Sequence, residues 1–272
     1  MILPDPKSRP GLTGSEPRDL ALPRLVEQEG PQLHSLARRF CPSPEDAEDL
    51  VQEVFLTAFR TWDQFRGDSK VSTWLYTIAS RACMKMQRRK VGEPANMASL
   101  DELMPMGEPR MASLPGPGED PLSEQLRAEG RAAVQQAIAD LPEAFRMPIV
   151  LREIVGLTLA DIAGVLQIPE ATVKTRLHRA RLRLRQALEE NLPVREVPAY
   201  NLDKAICMDL LQAKQASLDL GLTFEFPPGV FCERCSEVFK TMDLTQQFCS
   251  IAPGDEWPAE LGRQVLASFQ GA

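Results

Sequence analysis

No apolar run in this sequence approaches the ~20 residues that a bilayer-crossing helix needs, which excludes a transmembrane segment. The opening stretch, MILPDPKSRPGLTG, has neither the apolar core nor the cleavage pattern of a secretion signal, and a cytoplasmic protein with no membrane partner is expected. Histidine is scarce: His34 and His178 are the two, and both lie outside the cysteine-bearing C-terminal region. A catalytic zinc site wants an open coordination position and a nearby general base, usually His or Glu, so a zinc enzyme is disfavoured. Net positive charge is missing too. The formal charge is −7, and duplex affinity is dominated by phosphate neutralisation, so the whole chain should bind DNA poorly by charge alone.

What is present is unevenly spread. With 272 residues the chain has room for two or three domains with cores of their own. Residues 31–90 carry +3 and 131–190 carry +2, whereas 91–130 carry −6 and 191–272 carry −5, the first thirty adding −1. Two mildly basic modules are separated and followed by acidic stretches. Residues 1–20, rich in Pro, Gly and charge, are expected to be disordered. Residues 91–130 hold six prolines and no periodicity, and are expected to be a flexible linker; its four methionines suit apolar contact with a partner.

The module at 21–90 reads as helical. Ser43-Pro44-Glu45-Asp46 is a helix start, with Ser43 as N-cap and Pro44 at the first position. Ala47, Leu50, Val51, Val54, Phe55, Ala58, Phe59 and Trp62 then recur at three-four spacing as one apolar face. The opposite face is acidic and polar, with Asp46, Asp49, Gln52 and Glu53 among its residues. Carboxylates turned to DNA would be repelled; such a face meets solvent or a protein. Beyond the turn at Arg66-Gly67-Asp68, the rings of Phe65, Trp74 and Tyr76 are interleaved with Arg66, Lys70, Arg81, Lys85, Arg88 and Arg89. Rings beside cations suit single-stranded DNA, where stacking contributes ~1–3 kcal/mol per base, although such rings also serve as core.

From 131 to 190 helices return. Thr158 caps a short helix, with Asp161 in the reciprocal position; the turn Gln167-Ile168-Pro169 follows, and then a longer basic helix with Val173, Leu177, Ala180, Leu184 and Leu188 as its buried stripe. This is the pattern of a helix-turn-helix. The N-terminal part of its second helix offers Thr172, Lys174, Thr175, Arg176, His178 and Arg179 to base edges and flanking phosphates, with Arg181 to Arg185 facing phosphate or a partner.

Taken together, EDAEDLVQEVFLTAF and FRGDSKVSTWLYTIA resemble the promoter-melting domain of bacterial extracytoplasmic-function (ECF) sigma factors, and LPEAFRMPIVLREIVGLTLADIAGVLQIPEATVKTRLHRARLRLR resembles their −35-reading domain. The resemblance spans about residues 20–190 in the family's order. It implies a non-enzymatic subunit of core RNA polymerase that acts on promoter DNA, with Asp46, Asp49, Gln52 and Glu53 on the polymerase clamp. The −10 element would fall to Arg66, Lys70, Ser72, Trp74, Tyr76, Arg81 and Arg88, and the −35 element to the helix around Arg176. Arg81 and Lys85 stand where the family usually has Asn and Asp, and Ala171 where it usually has Gly. A separate anti-sigma factor is a further partner the resemblance allows. The alternative is a helix-turn-helix regulator that acts without polymerase.

Cys41 and Cys83 sit among apolar residues, as buried thiols do. Cys207, Cys232, Cys235 and Cys249 follow the spacing C-x24-C-x2-C-x13-C. A C-x2-C knuckle places two thiolates on one tetrahedral metal, with zinc the usual occupant. The segment from Cys207 to Cys235 also resembles the zinc-binding anti-sigma domain, with Pro228 at that domain's histidine position, and Cys249 is the candidate replacement ligand. A thiol switch without metal and incidental cysteines are the other readings. The overall expectation is an all-α protein: two helical sigma domains, a flexible linker, and a small, mostly helical regulatory domain at 191–272 that holds zinc.

Overall fold

The computed structural model describes residues 16–41, 43–90, 110–112, 121–190, 193–196, 204–222, 224, 232–250 and 257–269. Most of the expected disordered start and linker lies outside these residues. By contact the chain forms two compact units, residues 1–92 with 164–167 and 254–272, and residues 93–163 with 168–253.

In the first unit, α1 (Arg18–Phe40), α2 (Pro44–Thr61) and α3 (Val71–Lys90) pack together. Helix α1 begins inside the stretch read as disordered. Helix α2 starts as its sequence requires: Ser43 Oγ accepts from the Asp46 amide at 3.1 Å, and Pro44 occupies the first turn. Its apolar face from Ala47 to Phe59 is buried throughout. A 3-10 turn, Trp62–Gln64, leads to Gly67, whose φ of +78° suits glycine's lack of a Cβ. Trp62, Phe65 and Trp74 form a ring cluster with centroids 5.2–6.0 Å apart. The unit is completed by the last helix of the chain, α10 (Ala259–Ser268), which packs on α1 and α2.

Helices α4 (Pro121–Asp140), α5 (Glu143–Glu153), α6 (Leu159–Leu166) and α7 (Glu170–Glu190) make up the helix-turn-helix module, all of it in the second unit except the last residues of α6 and the turn at 164–167. Helix α4 starts ten residues before the expected end of the linker, because Pro121 stands at a first-turn position where a missing N–H costs nothing. The capping pair closes as expected: the Thr158 amide donates to Asp161 Oδ2 at 3.3 Å and the Asp161 amide to Thr158 Oγ1 at 3.1 Å. Gln167 takes the turn at φ +55°. Val173, Leu177, Ala180, Leu184 and Leu188 are all buried.

After α7 come α8 (Lys204–Leu220) and α9 (Glu233–Ser250), and α9 packs against α4, α5 and α7. Gly130 marks the closeness: a Cβ there would lie 2.9 Å from the Phe248 ring and 3.0 Å from Leu188. The region at 191–272 is therefore not one domain. Residues 204–250 join the helix-turn-helix unit, and 257–269 join the first. The helical class holds, with one addition among the described residues. Strands β1 (Arg110–Ala112) and β2 (Val194–Glu196) pair antiparallel, Met111 opposite Arg195, so a piece of the expected linker is hydrogen-bonded to the chain just after α7.

Candidate nucleic-acid interface and metal centre

On α2, Asp49 and Glu53 are exposed and Asp46 and Gln52 half-buried. The Gln52 amide is already engaged, donating to Gln264 Oε1 of α10 at 3.2 Å. One helix, capped by Ser43, thus brings the four expected polymerase contacts onto neighbouring turns.

Where α2 gives way to α3, Asp63, Gln64, Phe65, Arg66, Asp68, Ser69 and Trp74 line an open cleft of about 610 Å³. Arg66, Lys70 and Arg81 are exposed, and Ser72 and Trp74 half-buried. Trp74 packs on Phe65 inward, with the two rings tilted by 36°, yet keeps part of its surface at the cleft. Tyr76 does not belong with them. It is 3 % exposed, packed on the core face of α3 with Leu75, Ala79 and Cys83. Burial, and then the nearby Glu29 charge, pushes its phenol far above the ordinary range. A ring so placed cannot stack on a base. The side chain of Arg88 lies outside the description.

On α7, Lys174 and Thr175 are exposed, and Thr172, Arg176, His178 and Arg179 half-buried. Burial lowers the Arg176 pKa. His178 Nε2 lies 3.3 Å from Asp219 Oδ2 of α8. One turn on, Arg181 is buried, its guanidinium donating to Glu153 Oε1 at 2.8 and 3.0 Å and to Asp219 Oδ1 at 2.6 Å. Gln215 accepts from Arg181 as well, at 3.3 Å. Burial alone would raise the Asp219 pKa, but the His178 contact and the Arg181 charge outweigh it and hold the carboxyl below its usual range. Arg185 is fully buried against Glu189 at 2.5 Å. Of the three arginines expected to face phosphate or a partner, only Arg183 is open to solvent. The acids of α8 were missed by sequence reasoning; the available signal was Asp219 four residues after Gln215 on one helix face.

The thiols of Cys207, Cys232 and Cys235 lie within 4.8 Å of one another. Cys207 and Cys235 are buried and Cys232 half-buried, and none of the six cysteines is in a disulfide. Burial, followed by the neighbouring Cys232 and Cys207, pushes the Cys235 thiol far up. Cys249 does not join them. It sits on the same helix as Cys235 but fourteen residues on, which at 1.5 Å per residue is about 21 Å away. Three soft donors converging in an apolar surround fit a thiophilic ion: Zn–S bonds of ~2.3 Å place tetrahedral sulfurs ~3.8 Å apart, a closure of ~1 Å or less. No other His, Cys, Asp or Glu among the described residues completes the set.

Two family models match the chain, Sigma-70 region 2 over residues 25–92 and Sigma-70 region 4 over residues 131–184. The ECF RNA polymerase sigma-E factor of Escherichia coli K12 is 36% identical over 161 residues, 58% of this chain and 81% of that protein. The RNA polymerase sigma-H factor of Pseudomonas aeruginosa is 35% identical over 160 residues, again 58% and 81%. The ECF RNA polymerase sigma factor SigM of Mycobacterium tuberculosis H37Rv is 34% identical over 168 residues, 62% and 77%.

The chain belongs to the ECF sigma factor family.

It is an RNA polymerase sigma factor that works in promoter recognition, with core polymerase and promoter DNA as its partners. Region 2 of this sigma factor is the α1–α3 unit, and region 4 is the α4–α7 module; the cysteine cluster lies beyond both matched regions. No described helix of this sigma factor is long and apolar enough to cross a membrane.

Proposed function

We propose that this sigma factor carries its own regulator in residues 204–250, a thiolate metal module built onto the −35-reading helix. The observation that carries the reading is a shared core. Leu182 of α7 packs in one apolar cluster with Cys207, Leu211, Leu218, Cys235, Val238, Phe239 and Met242. The same α8 that bears Cys207 bears Asp219, which engages His178 and Arg181. A change at the cysteines therefore moves groups that touch α7 directly.

In this reading, Asp46, Asp49, Gln52 and Glu53 dock on polymerase. Arg66, Lys70, Ser72 and Trp74 receive the −10 strand at the cleft, and Arg81 adds charge beside it. Thr172, Lys174, Thr175, Arg176 and Arg179 meet the −35 duplex, while Asp219 holds His178 and Arg181 back from it. Cys207, Cys232 and Cys235 hold zinc. Bound zinc supplies folding free energy, ~10–16 kcal/mol in finger peptides, by joining α8 to the start of α9. Without it, two buried thiols and a short apolar core must hold those elements.

The test is metal analysis of the full chain purified under reducing conditions, run beside transcription with core polymerase before and after chelation. One equivalent of zinc, with a transcription level that changes on its removal, is the expected result. A metal-free chain whose transcription ignores both chelator and oxidant would end the proposal.

A further inference from the structure

The last helix of the chain occupies region 2. Trp257 stands edge-on to His34 of α1, with centroids 5.9 Å apart. Phe269 stacks on Phe59 of α2 at 5.0 Å. Between these anchors Leu261 and Val265 are buried, and Gln264 accepts from Gln52. Two glycines on different helices make room for the one indole. A Cβ at Gly30 would lie 2.8 Å from the Trp257 ring, and one at Gly262 would lie 3.2 Å from its nitrogen. Such a cradle is specific to a large flat side chain, and a helix end held only by loose collapse would not need it.

Gln52 and Phe59 are seven residues, two turns, apart on α2. Helix α10 therefore runs along two turns of the helix that also presents Asp49 and Glu53. Packed helices stand 8–10 Å apart and are themselves ~10 Å wide. A polymerase element that engaged Gln52 together with Asp49 and Glu53 would need the space that Gln264 holds.

We infer that the α1–α2 groove is a docking surface with two exclusive occupants, this chain's own residues 257–269 and the part of core polymerase that docks on α2. Polymerase binding then displaces α10, and the tail acts on region 2 as a competitor independent of the cysteine cluster. The inference rests on the reading of the acidic face of α2 as the polymerase contact.

The experiment measures core-polymerase affinity of the full chain with two substitutions that loosen α10 from opposite sides, W257A on the tail and G30A in the cradle. Each removes part of the population that polymerase must displace, so each should tighten binding by about three- to tenfold. The double variant should tighten it no further than the stronger single one, because both act on one contact. Amide exchange supplies a readout on the unaltered chain: residues 257–269 should lose protection when core polymerase binds. D49K and E53K, which test the acidic face itself, should weaken binding. If they do weaken it while W257A and G30A leave affinity unchanged and the protection persists, α10 stays in place in the complex and the inference is overturned. If D49K and E53K have no effect, the docking face has been misassigned, and the competition falls with it. Should W257A fail to fold, G30A and the exchange measurement decide alone.

Discussion

Asp219 shows how one carboxylate can tie a recognition helix to a neighbour. It is buried, and it meets both His178 and Arg181, while Glu153 meets Arg181 from the other side. Breaking a buried pair leaves an uncompensated charge and costs ~3–5 kcal/mol. R181A strands two carboxylates, so it should destabilise the second unit by roughly 3 kcal/mol; D219N, which leaves Glu153 in place, should cost about half as much. Urea unfolding of the full chain checks both. The folded-state pKa of Asp219 is depressed, so its contribution is present at and above the unfolded value, ~3.9, and is lost as pH falls through the lower folded value. The part of this stability that Asp219 and Arg181 contribute should decline only below about pH 4. D219N should remove that part of the acid sensitivity, and an unchanged acid limb would show that other carboxylates set it.

At the scale of elements, α9 separates the cysteines that the spacing alone had grouped. Cys235 stands in its first turn and Cys249 in its last, so a single ion cannot reach both. Metal content of the purified chain should therefore fall sharply in C207S, C232S and C235S and be unchanged in C249S. Loss of metal in C249S would require α9 to be broken. The helix caps offer a second check. Ser43 and Thr158 each satisfy a first-turn amide, and replacing such a cap with alanine costs ~1 kcal/mol. S43A should weaken polymerase binding and spare −35 duplex binding, and T158A should do the reverse; binding assays on the two partners separate them.

At the scale of the molecule, charge sets the order of assembly. The net charge is −7, and the exposed cations of α7 that face outward are few, because Arg181 and Arg185 are turned inward. With so few phosphates neutralised, the salt dependence of duplex binding should be shallow and the affinity low. The chain alone should give no promoter shift near 0.15 M salt, and the shift should appear when core polymerase is added. A strong shift without polymerase would revive the rival reading as a free-standing regulator.

Sequence alone determined the two sigma modules, their order, and the caps and apolar faces of α2, α6 and α7, since these depend on neighbours three and four residues apart. It also determined which side chains of α2 face away from the core. It mistook Tyr76, because an aromatic among cations reads alike whether it faces a strand or a core, and only packing against α1 and α2 tells them apart. It could not separate Cys249 from the other three, because a spacing of thirteen residues is compatible with a loop that returns or a helix that does not. Only the tertiary structure decided that the tail is divided between the two units. The pairing of Asp219 with Arg181, of Trp257 with Gly30, and of β1 with β2 joins residues 38 to 227 positions apart along the chain, and no local periodicity encodes a contact of that range.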